Sequence, residues 1–185
     1  MIEIDMTVST QFREGNKEAF NMVYLKAATQ VYRTALRIVG SVEEAEDIVH
    51  DVFVQAHAKR KQFKPGTSLM AWLYRITVNT SCNRLRKRRR EQHKWRQWEK
   101  ESSHESPAVQ SVNLIKEEAN RKIETILASL PKEQRICLVL RELEGLSYEE
   151  IARIVRIPIN TVRSRLKRAR ERVVLIARKG DDDEL

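Results

Sequence analysis

The chain has few of the residues that break, bend or staple a fold: five Gly, four Pro and two Cys among 185 residues. So few turn formers, with no sustained alternation of apolar and polar residues, exclude a β-sandwich or barrel, which needs a turn signal about every ten residues. Cys82 and Cys137 stand far from any CxxC spacing, which argues against a disulfide framework and predicts two buried, reduced thiols. His50, His57, His93 and His104 lack ligand-like companions, so no metal and no other cofactor is expected. No apolar run approaches bilayer length and the N-terminus has no signal-peptide layout, so the expected location is the cytoplasm.

What is abundant is charge and helix formers. Charged residues make up 33% of the chain, above the ordinary quarter, which favours small domains with a large share of surface. The net charge of +9 suits anionic partners such as phosphate backbones, anionic lipids or acidic proteins. Leu, Ile, Ala, Arg, Lys and Glu dominate, so the predicted fold class is all-α.

Helical periodicity divides the chain into two small helical domains. After a poorly patterned start, Gly15-Asn16 reads as a break and an N-cap. Phe20, Val23, Tyr24, Ala27, Val31, Ala35 and Ile38 then recur at helical spacing up to Gly40. Ser41 with Glu44 predicts a capping box for a helix striped by Ala45, Ile48, Val52, Phe53 and Ala56. Beyond Pro65-Gly66, Leu69, Trp72, Leu73, Ile76 and Thr80 define a third. These helices predict a first domain over residues 8–91. The composition then shifts through the basic run Arg84, Arg86, Lys87, Arg88, Arg89, Arg90 to a polar stretch, read as a flexible linker over 92–113. A second domain, 114–178, begins with Leu114, Ile115, Ala119, Ile123, Ile126 and Leu127. Pro131 restarts it with Ile136, Val139, Leu140 and Leu143, and Gly145 closes that part.

Gly145-Leu146-Ser147-Tyr148-Glu149-Glu150 is a helix stop followed by a new N-terminus, Ser147 being the cap and Glu150 completing a box. Ile151, Ile154 and Val155 form the core face of this helix, and Ala152 lets another helix cross closely. Arg156-Ile157-Pro158-Ile159 is a turn, with Asn160 expected to cap a helix from Thr161 to about Ala177. Val162 and Leu166 point inward, leaving Arg163, Ser164, Arg165, Lys167, Arg168, Arg170 and Arg172 on the other faces. The whole is a helix-turn-helix, whose second helix meets base edges with its N-terminal residues while flanking cations hold phosphates. Arg163 is the candidate for a bidentate contact to guanine. The acidic tail Asp181–Glu184 reads as a solvated end.

Three blocks carry a resemblance. The stretches AEDIVHDVF (45–53), FKPGTSLMAWLYRITVN (63–79) and LPKEQRICLVLRELEGLSYEEIARIVRIPINTVRSRLKRARE (130–171) together resemble the extracytoplasmic-function sigma factors of bacterial RNA polymerase, over nearly the whole chain. The resemblance implies an initiation factor, not an enzyme. Its first domain would bind the polymerase clamp and recognise and melt the −10 promoter element, and its second would recognise the −35 element. It implies that Asp47, His50 and Asp51 meet the β′ clamp, and that Phe63, Asn79 and Asn83 handle −10 bases, by stacking or by reading an edge. Arg84, Arg86, Lys87 and Arg88 would follow the DNA backbone, and Arg163, Ser164, Lys167 and Arg168 would contact the −35 duplex. Implied partners are core RNA polymerase (β′ clamp and β flap), promoter DNA both duplex and single-stranded, and an anti-sigma factor, which could hold the chain at a membrane.

The sequence also departs from the family pattern. Lys167 stands where several relatives carry an aromatic, which favours a phosphate contact there. His50 replaces a frequent glutamine and Asn160 a frequent glycine. Two rival classes explain less. An ordinary helix-turn-helix regulator accounts for Ser147–Arg172 but not for the Trp72 segment. A nuclease or recombinase needs clustered carboxylates, and Asp47 and Asp51 with Glu43 have no acidic counterpart elsewhere.

Overall fold

Asn16 starts a long helix of the N-terminal half, its Oδ1 accepting the Ala19 amide at 2.8 Å, and left-handed Gly40 (φ 72°) ends it. The computed structural model describes residues 4–99 and 116–182, and among these all regular structure is helical. In chain order the helices are α1 (Met6–Glu14), α2 (Lys17–Val39), α3 (Val42–Ala58), α4 (Leu69–Glu99), α5 (Lys116–Ser129), α6 (Lys132–Leu138), α7 (Tyr148–Val155) and α8 (Ile159–Asp182). A 3-10 turn over Arg60–Gln62 follows α3, and a π turn over Val139–Leu143 follows α6. Leu114, Ile115, residues 100–113 of the expected linker, and Asp183 and Glu184 of the tail lie outside the described residues.

The α2, α3 and α4 stripes pack on one another as their periodicity predicts: Val23, Ala27, Val31, Ala35, Ile38, Ala45, Ile48, Val52 and Leu73 are fully buried. Helix α1 is an addition to the predicted set. Phe12 is 1% exposed and stacks on Phe20 with ring centroids 6.0 Å apart, while α1 packs against α2 and the 3-10 turn. Nine residues are too few to hold a helix on propensity, so tertiary packing makes this one. Helix α4 continues to Glu99, past the change in composition at Glu91. Its Arg, Lys, Gln and Glu are good helix formers that need no apolar face to propagate a turn already nucleated.

The expected box at Ser41 is half formed. Ser41 Oγ accepts the Glu44 amide at 3.2 Å, but the Glu44 carboxylate turns to Arg88 at 3.1 Å. The box at Ser147 is complete, with Ser147 N donating to Glu150 Oε2 at 2.8 Å and Glu150 N donating to Ser147 Oγ at 3.2 Å. In the C-terminal half Ile136, Val139, Leu140, Leu146, Ile151, Ile154, Val162, Leu166 and Ala169 are buried, while Leu143, expected inside, is 39% exposed. The π turn is the reason. Glu144 N bonds to Val139 O and Leu146 N to Leu140 O, so the chain is wound more widely there and Leu143 rotates outward as Glu144 rotates in.

The two helical halves also meet. Helix α4 packs against α7, and α2 against the π turn, α5 and α6, so the buried side chains of both halves form one cluster. Between residues 69 and 81 α4 is buried on most sides, as a helix must be when α2, α3 and α7 all cover it.

Candidate nucleic-acid interface

Helix α8 is positioned by three small or branched side chains one turn apart, Val162, Leu166 and Ala169, all fully buried against α6 and α7. Arg163, Ser164, Lys167 and Arg168 are all exposed on its other side. Arg163 donates to Asn160 Oδ1 at 3.2 Å, a bond that aims the guanidinium from the first turn without burying it. Lys167 lies 3.9 Å from Glu171, a surface pair of little strength. The helix begins two residues earlier than expected: Thr161 N and Val162 N both donate to Pro158 O. Pro158, not Asn160, therefore occupies the cap position, and Asn160 falls in the first turn. The turn before it depends on Arg156, whose φ of 58° is left-handed.

Two further cations expected on the outer faces are engaged within the protein, Arg170 in an exposed ion pair and Arg165 half-buried. Arg170 donates twice to Glu142 Oε1, at 2.6 and 3.1 Å, tying α8 to the π turn. Arg165 is half-buried and lines the cleft between the halves.

In the N-terminal half, Asp47 and His50 are exposed on α3 and Asp51 is half-buried. Arg84 on α4 bridges the two carboxylates, at 3.3 Å to Asp47 and 3.4 Å to Asp51. Residues expected to meet different partners are thus paired with each other. Arg88 is likewise engaged, with Glu44 and with the Val39 carbonyl at 3.3 Å. Of the basic run, Arg86 and Lys87 point outward, Arg86 donating to Asn83 Oδ1 at 2.9 Å. His50 borders an apolar groove of about 1020 Å³ along α2 and α3, floored by Phe20, Tyr24, Val49 and Phe53.

Phe63 lies in the core beside Trp72. It is 1% exposed and sits edge-on to Trp72, ring centroids 5.8 Å apart. Asn79 and Asn83 are both exposed. They line a cleft of about 680 Å³ whose other wall comes from the C-terminal half, through Ile136, Val155 and Arg165.

The feature that sequence inspection missed is a buried carboxylate. Glu144, 8% exposed, accepts from Tyr74 Oη at 2.6 Å and from Thr34 Oγ1 at 2.8 Å. Arg37 approaches it to 3.9 Å. Its partners lie 70 and 110 residues away in the chain. Standing beside a helix stop, it carries the local signature of an ordinary solvated acid.

Residues 23–91 match the sigma-70 region 2 family and residues 120–173 the sigma-70 region 4 family. The chain is 32% identical over 178 residues to the RNA polymerase sigma-H factor of Pseudomonas aeruginosa, covering 92% of each chain. It is 33% identical over 176 residues to the ECF RNA polymerase sigma-E factor of Escherichia coli, covering 91% of this chain and 92% of that one. Among solved structures, the sigma factor RpoE in complex with the anti-sigma factor NepR, from Bartonella quintana, matches with a TM-score of 0.69 at 30% identity, over 86% of this chain and 96% of that one. CnrH, in complex with the cytosolic domain of CnrY, shares the fold with a TM-score of 0.73 at 22% identity, over 95% and 97% of the two chains. The chain belongs to the sigma-70 family and, within it, to the extracytoplasmic-function sigma factors, the initiation factors that direct bacterial RNA polymerase to its promoters.

Proposed function

We propose that residues 8–91 form the domain that binds the polymerase clamp and opens the −10 element, that 92–113 are the linker, and that 114–178 form the domain that reads the −35 element. The observation that carries this is one exposed face of α8, Arg163, Ser164, Lys167 and Arg168, on the same chain as a helical domain that presents acids on α3 and amides on α4. A duplex reader alone has no use for the second set.

On this proposal Arg163 reads a base edge in the major groove, and Ser164, Lys167 and Arg168 fix register on phosphates. Asn79 and Asn83 read unpaired −10 bases, with Phe63 packed against Trp72 to hold the loop before α4 in place. Arg86 and Lys87 follow the backbone. Arg84 and Arg88 reach it only by leaving Asp47, Asp51 and Glu44. The β′ clamp meets Asp47, His50 and Asp51, where basic groups of the clamp compete with Arg84 for the carboxylates, and the β flap meets the C-terminal domain. No bond is made or broken by this chain. Strand opening is driven by differential binding of unstacked over stacked bases. The chain works in the cytoplasm, where the polymerase is, without any cofactor. The NepR complex of its Bartonella relative supports control by an anti-sigma factor, and such a factor, if membrane-anchored, would hold the chain at the membrane.

The test is run-off transcription with purified core polymerase and a library of bacterial promoters. Transcripts that start at defined promoters only when the chain is added are the expected result. Initiation that is indifferent to the chain across the library would overturn the proposal.

A further inference from the structure

The contact between the two halves has an unusual centre. Most of a helical interface is apolar side chains, yet here a carboxylate is taken out of water. Its compensation is one phenol, one hydroxyl and a guanidinium at 3.9 Å. A carboxylate so held is only partly repaid for its lost hydration, so the contact is specific without being strong. Glu144 reaches it because the π turn rotates that one side chain toward α2 and α4. A second contact, Arg135 donating to the Ile38 carbonyl at 2.9 Å, joins α6 to the C-terminal end of α2, where a cation is favoured by the helix dipole.

Closure brings like charges together. Lys59, Arg75 and Arg86 of the N-terminal half face Lys132, Arg156 and Arg165 of the C-terminal half across the cleft, with Glu133 the one acid among the lining residues. Mutual repulsion of these cations favours separation, and an anionic strand in the cleft would relieve it. The cleft is the size of a small-molecule pocket, not of an open groove along a nucleic acid. Asn79 and Asn83 are open to water but faced by Ile136, Val155 and Arg165.

We propose that this chain closes on itself, with Glu144 as a latch that docks on Tyr74 and Thr34, keeping the amides of Asn79 and Asn83 behind the C-terminal half until the halves part. No partner is needed for the closed state, because every group in the latch belongs to the chain. The consequence for Asn79 and Asn83 rests on their proposed role at the −10 element; the closure itself does not.

The two cysteines report on it. Cys82 is half-buried in the cleft, and burial holds its thiol above the usual value, with Lys132 and Glu133 of the opposite half among the charges acting on it. Cys137 is fully buried on α6, and the charged groups acting on it, Arg165 and Glu133, both belong to the C-terminal half. Parting the halves frees Cys82, whereas only unfolding frees Cys137. The experiment is native alkylation of the full chain by a maleimide, followed residue by residue by mass spectrometry, for the wild type, Glu144→Ala and Tyr74→Phe. The phenylalanine variant keeps the ring in the core and removes one hydroxyl, so it guards against a fold lost in the first. The expected result is Cys82 alkylation faster by about tenfold in Glu144→Ala and by about fivefold in Tyr74→Phe, with Cys137 protected in at least one of them. Cys82 unchanged in both variants, or Cys82 accelerated only where Cys137 reacts too, overturns the latch. The readout uses no DNA and no polymerase, so failure of the latch and failure of the promoter assignment are separate results.

Discussion

Arg156 holds a left-handed backbone at the turn between α7 and α8, and its amide closes on the Ala152 carbonyl. A side chain with a Cβ is strained there by about 1–2 kcal/mol, whereas Gly adopts the conformation freely at an entropic cost of about 0.5–1 kcal/mol. Arg156→Gly is therefore predicted to stabilise the C-terminal half by roughly 0.5–1 kcal/mol, measured by urea denaturation of the full chain. A loss of stability would show that the Arg156 side chain holds the turn through its contacts. Phe63 teaches a related lesson. An aromatic beside a Pro-Gly turn looks equally suited to stacking on a base and to filling a core. In the fold its ring packs edge-on against that of Trp72, nine positions along the chain.

At the scale of the element, α8 combines two demands that its sequence keeps apart. Val162, Leu166 and Ala169 seat it, and the residues between them face away. Arg163→Ala leaves that seat untouched, so its predicted effect is confined to recognition. Discrimination at one −35 base pair should fall by about 1–3 kcal/mol while affinity for other sequences changes little. Competition binding of promoter variants by the polymerase holoenzyme measures this, and an even loss across all variants would reassign Arg163 to a phosphate. Helices α3 and α4 show the opposite pattern. Their charges were legible as an acidic face and a basic run, but Arg84 joins them into one structure, so neither face is independent of the other. Spacing places Arg84 on a helix. It says nothing about which neighbouring helix that side of α4 faces.

At the scale of the whole molecule, Tyr74 links stability to alkaline pH. Its phenol is held well above the ordinary value of 10.0, first by burial, then by its hydrogen bond to Glu144 and by that carboxylate's charge. The folded value is raised, so this contribution is fully present below pH 10 and is lost as the pH rises beyond it, where the unfolded chain ionises and the folded chain does not. Between pH 10 and higher values stability should fall by up to about 1.4 kcal/mol per pH unit from this group. Comparing urea midpoints of the wild type and Tyr74→Phe across that range isolates it from the other tyrosines and the lysines. Equal slopes for the two proteins would contradict the burial of this hydroxyl. The same pair of proteins tests closure through Cys82, so one substitution addresses both the core and the interface.

Much of the protein was determined by sequence alone. The helices between α2 and α8, their caps at Asn16 and Ser147, the buried stripes, and the exposed face of α8 all follow from patterns that repeat within a turn or two. Local rules suffice there because an amphipathic helix writes its buried side into its own spacing. Helix α1, the pairing of Arg84 with α3, the packing of Phe63 against Trp72, and the seating of Glu144 between Thr34 and Tyr74 belong to tertiary structure. Each depends on groups far apart in the chain, and a side chain's hydration, charge pairing and open faces are set by what arrives beside it. A glutamate next to a glycine is the same pair of letters whether water surrounds it or another domain does. Here the π turn and the meeting of the two halves decided which.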